Sequence, residues 1–491
     1  MSDILKLQNG SDIRGVAIES EGEKVNLTEQ IAYKIARSFA RYIKDKYPNK
    51  EKYLSTVGTD SRITGPAIKK AVINGLVDEG FFVYDAALTS TPAIFMSTIF
   101  NDIKADCGIM ITASHLPYNR NGMKFFSKEG GLDKNDIKNI LLDTEKDSSV
   151  YKRGYVRSID LTQIYSNHLI NLIRDKTGSD KPFLNKRIIV DAGNGSGGFF
   201  VNILNELGAD TFGSVYLNPD GYFPNHIPNP ENTQVMEEFS KQVLNVKTDL
   251  GIIFDTDVDR AAFVDKTGKA IAKNALVALM SYIVSKENKG SIIVTDSVTS
   301  NSLTEYIQNL GCIHHRFKRG YKNVIDEAVK LNSEGKYAPL AIETSGHCAL
   351  LENYFLDDGA YMAVKILILF AEMAKEGKNI SDAIKTLKEA AESIEIRLDI
   401  LQDDFKQYGE EVLSVFKEYV QNKEGWKLDA PSYEGIRIKA DERSGDGWAL
   451  MRLSLHDPKI VINIESDISG GVDIIKQNIF KSIEKFKKLK Y

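Results

Sequence analysis

Residues 187–198 read RIIVDAGNGSGG, three β-branched residues running into a turn of Asp, Gly, Asn and Ser. A short continuous apolar run suits a strand covered on both faces, and the glycine-rich turn marks where it ends and a helical pattern begins. The same order recurs in STVGTDSRITG (55–65) and SIIVTDSVTSNSL (291–303). That recurrence predicts repeated α/β units whose polar turns lie at the carboxyl ends of the strands, where such folds place ligands.

Beyond about residue 390 the texture changes. A charged helical stretch, DDFKQYGEEVLSVFKEYVQ (403–421), precedes alternating runs, YEGIRIKA (433–440), WALMRLSL (448–455) and KIVINIES (459–466). Period-two alternation after a helix reads as a smaller α+β domain. The expected domains are 1–155, 156–270, 271–395 and 396–491, in keeping with 491 residues at about 100–200 per domain.

The chain is 42% apolar and 27% charged, with a formal net charge of −5. Nucleic-acid binding leans on Lys and Arg contacts to phosphates, so no nucleic-acid partner is expected. The opening residues, MSDILKLQNGSDIRG, lack the basic-then-apolar order of a secretory signal, and no apolar stretch approaches about 18 residues. A cytoplasmic chain with no membrane partner is expected. Cys107, Cys312 and Cys348 are too few and too far apart for a disulfide framework or a zinc site, and are read as buried free thiols.

In GIIFDTDVDR (251–260) an apolar strand leads directly into Asp255, Asp257 and Asp259. Alternation puts the three carboxylates on one side, and a hard cation such as Mg2+, which prefers oxygen ligands, relieves their repulsion. An EF-hand would need Gly and Glu at the sixth and twelfth positions, which hold Arg260 and Lys266. A phosphotransferase with Asp255 as nucleophile would also use such an Asp-x-Asp strand end, and would form an aspartyl-phosphate.

In GIMITASHLPYNRNGMKFF (108–126) another apolar strand ends at Ser114 and His115, and a Pro/Asn/Gly loop returns to Lys124. A serine on a turn with a proton-transfer partner and a cation within one loop suits an activated or phosphate-carrying hydroxyl.

These segments resemble the α-D-phosphohexomutases. The family loop T-A-S-H-N-P-x-x-x-N-G-x-K is matched at residues 112–124 except that Leu116 replaces the first Asn, and D-x-D-x-D-R is matched at Asp255, Asp257, Asp259 and Arg260. NPDGYFPNHIPNPEN (218–232) is similar to the family's P-D-G-x-F-P-x-H-x-P-N-P. Asp12-Ile13-Arg14-Gly15 resembles D-I-R-G, and residues 58–62 resemble G-x-D-x-R, which would aim Arg14 and Arg62 into a cleft.

Glu343-Thr344-Ser345-Gly346-His347 resembles the sugar loop G-E-x-S-G-H, with Ile342 in place of the Gly. The resemblance implies Glu343 and Ser345 on sugar hydroxyls, His347 as a proton carrier and Lys322 facing substrate. The family's phosphate loop R-P-S-G-T-E-P corresponds to Arg452, Leu453, Ser454, Leu455, His456, Asp457 and Pro458. Its Gly and Thr are gone, so Arg452, Ser454 and His456 would supply the grip. The upstream mimic Arg443-Ser444-Gly445 reads as a hairpin turn, since WALM and KIVINIE frame the later loop.

The resemblance implies an α/β molecule of four domains around a central cleft, the first three with mixed sheets. Its expected activity is phosphoryl transfer between the 1- and 6-positions of glucose or mannose phosphates. Ser114 would be the phosphoserine, with one Mg2+ bridging it to Asp255, Asp257 and Asp259 and a hexose 1,6-bisphosphate as activator. Arg14, Arg62, Lys124 and Arg260 would neutralise charge, and His115, Lys124 or His347 would assist proton transfer. A monomer or homodimer is expected. A phosphoglucosamine-type mutase, a phosphatase acting through Asp255, and a non-catalytic sugar-phosphate binder remain alternatives.

Overall fold

The computed structural model describes residues 3–20, 22–146, 153–454 and 457–491. The chain forms two compact units, Met1–Ala272 with Ser345–Asp382, and Lys273–Thr344 with Ala383–Tyr491.

The first unit opens with a mixed sheet. Cys107–Ile111 lies near its middle, parallel to Leu54–Thr59, which pairs in parallel with Phe82–Leu88 and through it with Tyr155–Ser158. On the other side Arg120–Ser127 returns antiparallel and Asp12–Val16 adds to it, also antiparallel. Cys107–Ile111 is buried at every position, as an apolar run with both faces covered must be. The helices Glu29–Lys46 and Gly65–Asp78 set Ile35, Phe39, Ile43, Val72 and Leu76 in one core with Val57, Ile109 and Phe125. Burying a side chain of this size contributes about 1.5–3 kcal/mol.

Within the same unit Leu250–Phe254 pairs in parallel with Ile188–Asp191 and antiparallel with Ala261–Asp265. The hairpin register sets Phe254 opposite Ala261, so the connecting turn is residues 255–260, the stretch with the three aspartates. A second hairpin, Cys348–Leu350 with Leu356–Asp357, leads into the helix Gly359–Lys375.

In the second unit Ile292–Thr295 is flanked by Ile313–Arg316 and Leu340–Ile342, all parallel. The C-terminal part is a six-stranded antiparallel sheet in the order Trp426–Leu428, Ile436–Ala440, Gly447–Leu453, Lys459–Ser466, Glu392–Ile400, Leu489–Lys490. Ile396, Leu398 and Ile400 face its core while Arg397 and Asp399 face solvent, the expected period of two. Val412, Phe416 and Val420 recur every four residues along Phe405–Asn422 and close over that face. Gly447–Leu453 and Lys459–Ser466 are the strands that frame the phosphate-like loop, and residues 441–446 form the upstream hairpin turn. Leu455 and His456 lie outside the described residues. The three cysteines are buried and unbridged.

Candidate active site

Two strand ends of the first unit meet at the site. Cys107–Ile111 delivers Ser114, and Leu250–Phe254 delivers the 255–260 turn. Ser114 holds φ at +49°, the left-handed region that a non-glycine residue enters only where its surroundings hold it. Its Oγ donates to Asp255 Oδ2 at 2.9 Å and accepts from Arg260 Nη2 at 3.3 Å, with His115 Nδ1 at 3.3 Å. Its backbone N–H donates to Thr112 Oγ1 at 2.9 Å.

Asp255, Asp257 and Asp259 are all buried, each offering an oxygen within 4.8 Å of the others. Val258 between them is a buried β-branched residue at φ +68°, so the turn's shape is held against local preference. Lys124 Nζ donates to Asp257 Oδ2 at 3.0 Å and to Asp259 Oδ2. Thr91 Oγ1 donates to Asp257 Oδ2 at 2.5 Å. Asp257 Oδ1 and Asp259 Oδ1 are buried and accept no hydrogen bond among the described residues. Two orphaned buried carboxylate oxygens beside a third carboxylate fit a hard, oxygen-seeking divalent cation.

Burial and the neighbouring Asp259 and Asp257 charges push the Asp255 carboxyl well up. Burial also opposes the Asp259 charge, but Lys124, His347 and Arg260 outweigh it and hold that carboxyl below the ordinary range. One turn therefore carries carboxylates of opposite tendency.

His347 pairs its backbone antiparallel with Arg260, and its Nδ1 meets Asp357 Oδ2 at 2.5 Å. Burial lowers the imidazole's proton affinity, yet the charges of Asp357 and Asp259 raise its pKa to about 9. His115 moves the other way, down to about 2, through burial and the charges of Arg260, Arg14 and His347. Arg260 Nη1 also donates to Asn229 Oδ1 at 3.3 Å and lies 3.5 Å from Glu231 Oε2, so the 218–232 segment braces it. His226 Nε2 on Asp191, at 3.0 Å, fixes that segment to the end of Ile188–Asp191.

Arg14 donates to Asp12 Oδ2 and to Ala113 O, both at 2.9 Å. Arg62 is almost wholly buried beneath the 114–120 loop, with its guanidinium on backbone carbonyls.

The remaining expected residues are divided between the two units. Ser345 belongs to the first. In the second, Glu343 follows Leu340–Ile342 and its Oε1 accepts from Gly320 N at 2.6 Å. Lys322 pairs with Asp326 one helical turn on. Arg452 is buried with Nη1 3.4 Å from Glu434 Oε1, and Ser454 Oγ accepts a 3.4 Å bond from Asp457 N. Thr91, Thr112, Asp357 and Glu434 were missed by the sequence reading. Thr112 lay inside a quoted motif, whereas nothing in the one-dimensional pattern singles out Thr91, Asp357 or Glu434.

Three family models match: phosphoglucomutase/phosphomannomutase alpha/beta/alpha domain I over residues 5–150, domain II over 163–268 and domain III over 272–390. A phosphoglucomutase/phosphomannomutase of Thermococcus kodakarensis is 31% identical over 468 residues, covering 94% of each chain. A phosphoglucomutase of Neisseria meningitidis is 28% identical over 475 residues, covering 96% of this chain and 95% of its own. Among solved structures, a phosphoglucomutase/phosphomannomutase family protein from Burkholderia thailandensis superposes with a TM-score of 0.81 over 100% of both chains at 23% identity, a likeness of fold.

Proposed function

This chain belongs to the phosphoglucomutase/phosphomannomutase family of phosphomutases, isomerases that move a phosphoryl group within one molecule, and we propose that it interconverts hexose 1-phosphates and 6-phosphates through a phosphorylated Ser114. The observation that carries this reading is the Ser114 hydroxyl, 2.9 Å from Asp255 and 3.3 Å from Arg260, at the head of the three-aspartate turn.

In the first half-reaction the Oγ–P bond of phosphoserine breaks as the free 6-hydroxyl oxygen of a hexose 1-phosphate bonds to phosphorus. The hydroxyl's proton is released and Ser114 recovers one, leaving a serine and a 1,6-bisphosphate. After the bisphosphate turns, Ser114 Oγ attacks the phosphorus at the 1-position, and the 6-phosphate leaves. Hexose 1,6-bisphosphate primes Ser114 by the same second step.

In this reading Arg260 and Lys124 would neutralise negative charge, joined by Arg14, whose guanidinium donates to Ala113 O from the strand Asp12–Val16. Asp255, Asp257 and Asp259 would hold one Mg2+, which when bound supplies further charge neutralisation at the phosphoserine. His347, held by Asp357, and His115, beside Ser114, are the proton carriers of this reading. Glu343 and Ser345 would bond ring hydroxyls, and Arg452 and Ser454 the distal phosphate, with glucose and mannose phosphates as substrates in the cytoplasm.

The test follows glucose 1-phosphate and mannose 1-phosphate with Mg2+ and a trace of hexose 1,6-bisphosphate, for the wild type and Ser114→Ala, alongside peptide mass. Conversion to 6-phosphates with phosphate on Ser114, lost in the variant, is expected. Phosphate on Asp255 with release of inorganic phosphate, unaffected by the variant, would overturn the reading in favour of a phosphatase.

A further inference from the structure

The turn at Asp60–Arg62 lies beneath the nucleophile loop and grips it twice. Arg62 Nη1 donates to Pro117 O at 2.7 Å and Arg120 O at 2.9 Å, while Nη2 donates to Ser114 O at 2.5 Å and Leu116 O at 2.6 Å. A guanidinium has five N–H donors. The fifth, on Nε, is buried and makes no hydrogen bond among the described residues, with Asp60 Oδ2 3.3 Å away as its ion-pair partner. The face of the group is covered by the Phe223 ring at 5.2 Å, and Gly221 packs so tightly that a Cβ there would lie 2.4 Å from Ile63 N.

The second grip starts from Asp60. Its Oδ2 accepts from Thr112 Oγ1 at 2.7 Å, and that hydroxyl oxygen accepts from Ser114 N at 2.9 Å. The nucleophile is thus held through its own N–H and its own C=O. A left-handed serine costs on the order of 1–3 kcal/mol unless its surroundings over-determine it, and these two grips do so.

We infer that Arg62 is a positioning residue, its donors holding the 114–120 loop and the Ser114 backbone in the shape needed for phosphoryl transfer, with Asp60 and Thr112 as the second arm. The four terminal N–H groups are all taken by loop carbonyls, and Nε is buried against Asp60, so the group is turned to the loop and not to a transferring phosphoryl group. The inference rests on the phosphoserine reading above for its catalytic meaning, and on geometry alone for its structural meaning.

Arg62→Lys and Thr112→Val test it. A lysine offers one ammonium and cannot span four carbonyls. Arg62→Lys should lower kcat by about 100-fold, the effect of a nucleophile displaced by about an ångström. KM for glucose 1-phosphate should stay within about 3-fold, since substrate binding is not the interaction removed. Thr112→Val, which breaks only the second arm, should lower kcat by about 10-fold. In both variants amide exchange in residues 113–121 should quicken while the rest of the chain keeps its protection. A raised KM with kcat preserved in Arg62→Lys, or loop exchange unchanged from wild type, would overturn the inference. Were the wild type to carry no phosphate on Ser114, the functional reading would fall, and the exchange comparison would still decide for or against the grip.

Discussion

Ser114 Oγ donates its hydrogen bond to Asp255 Oδ2 across 2.9 Å, joining the end of one sheet's buried strand to the end of another's. Ser114 and Asp255 are 141 residues apart, and the contact exists only because Cys107–Ile111 and Leu250–Phe254 deliver their turns to one place. Asp255→Asn keeps the side chain's shape and removes its charge. It should lower mutase turnover by about 100- to 1000-fold, the scale for loss of one preorganised polar group, with KM for the sugar phosphate little changed. Steady-state kinetics with glucose 1-phosphate decide this.

Metal binding has a readout independent of turnover. With Mg2+ at about 100 times its dissociation constant, the folded state should gain about 2.7 kcal/mol, seen as a rise in Tm that a chelator reverses. Asp257→Asn and Asp259→Asn should each shrink that rise, because each removes one of the three clustered carboxylates. A Tm insensitive to Mg2+ in the wild type would count against the site.

Lys124 bridges Asp257 and Asp259 within the site, so Lys124→Met should leave two buried carboxylates without the ammonium they share. Removing one partner of a buried pair costs about 3–5 kcal/mol. Adding Asp259→Asn to that variant should recover part of the loss, a coupling that denaturant unfolding in a double-mutant cycle will measure.

Asp358, the neighbour of Asp357, supplies a pH dependence of stability. Burial raises its carboxyl from 3.8 to about 6, against hydrogen bonds from Tyr361 N, Tyr165 and Asn353 and with a contribution from the Asp357 charge. Between those values the folded state binds more protons than the unfolded chain, so this residue makes stability fall as pH rises. Its destabilisation is absent below about 3.8 and complete above about 6, where it amounts to about 3 kcal/mol. Asp358→Asn keeps an acceptor for Tyr361 N and Tyr165. The difference in unfolding free energy between wild type and variant should therefore slope across that window and be flat above it.

Much of this was legible in one dimension. Continuous apolar runs such as Gly108–Ile111 and Gly251–Phe254 announce covered strands because only a buried strand tolerates apolar residues on both faces. The alternating 448–466 region announces an open antiparallel sheet for the complementary reason, and the structure has those strands as neighbours. The three aspartates were visible because their crowding is local, within five residues.

Contacts across the sequence were not legible. The G-x-D-x-R resemblance pointed to a cationic Arg62 in a cleft, yet a motif cannot tell whether a guanidinium meets a ligand or the chain's own carbonyls. Burial decides that, and burial depends on where residues 114–120 and Phe223 come to rest. His347 as a charged imidazole depends likewise on Asp357 and Asp259, which only folding brings beside it.

By itself, the sequence determined which segments become buried strands and which residue types stand at their ends, because hydrophobic periodicity and turn chemistry act over a few neighbouring residues. Tertiary structure alone decided which of those ends meet, which charges compensate one another and which donors are already taken. Those outcomes are set by distances and dielectric surroundings between residues far apart in the chain.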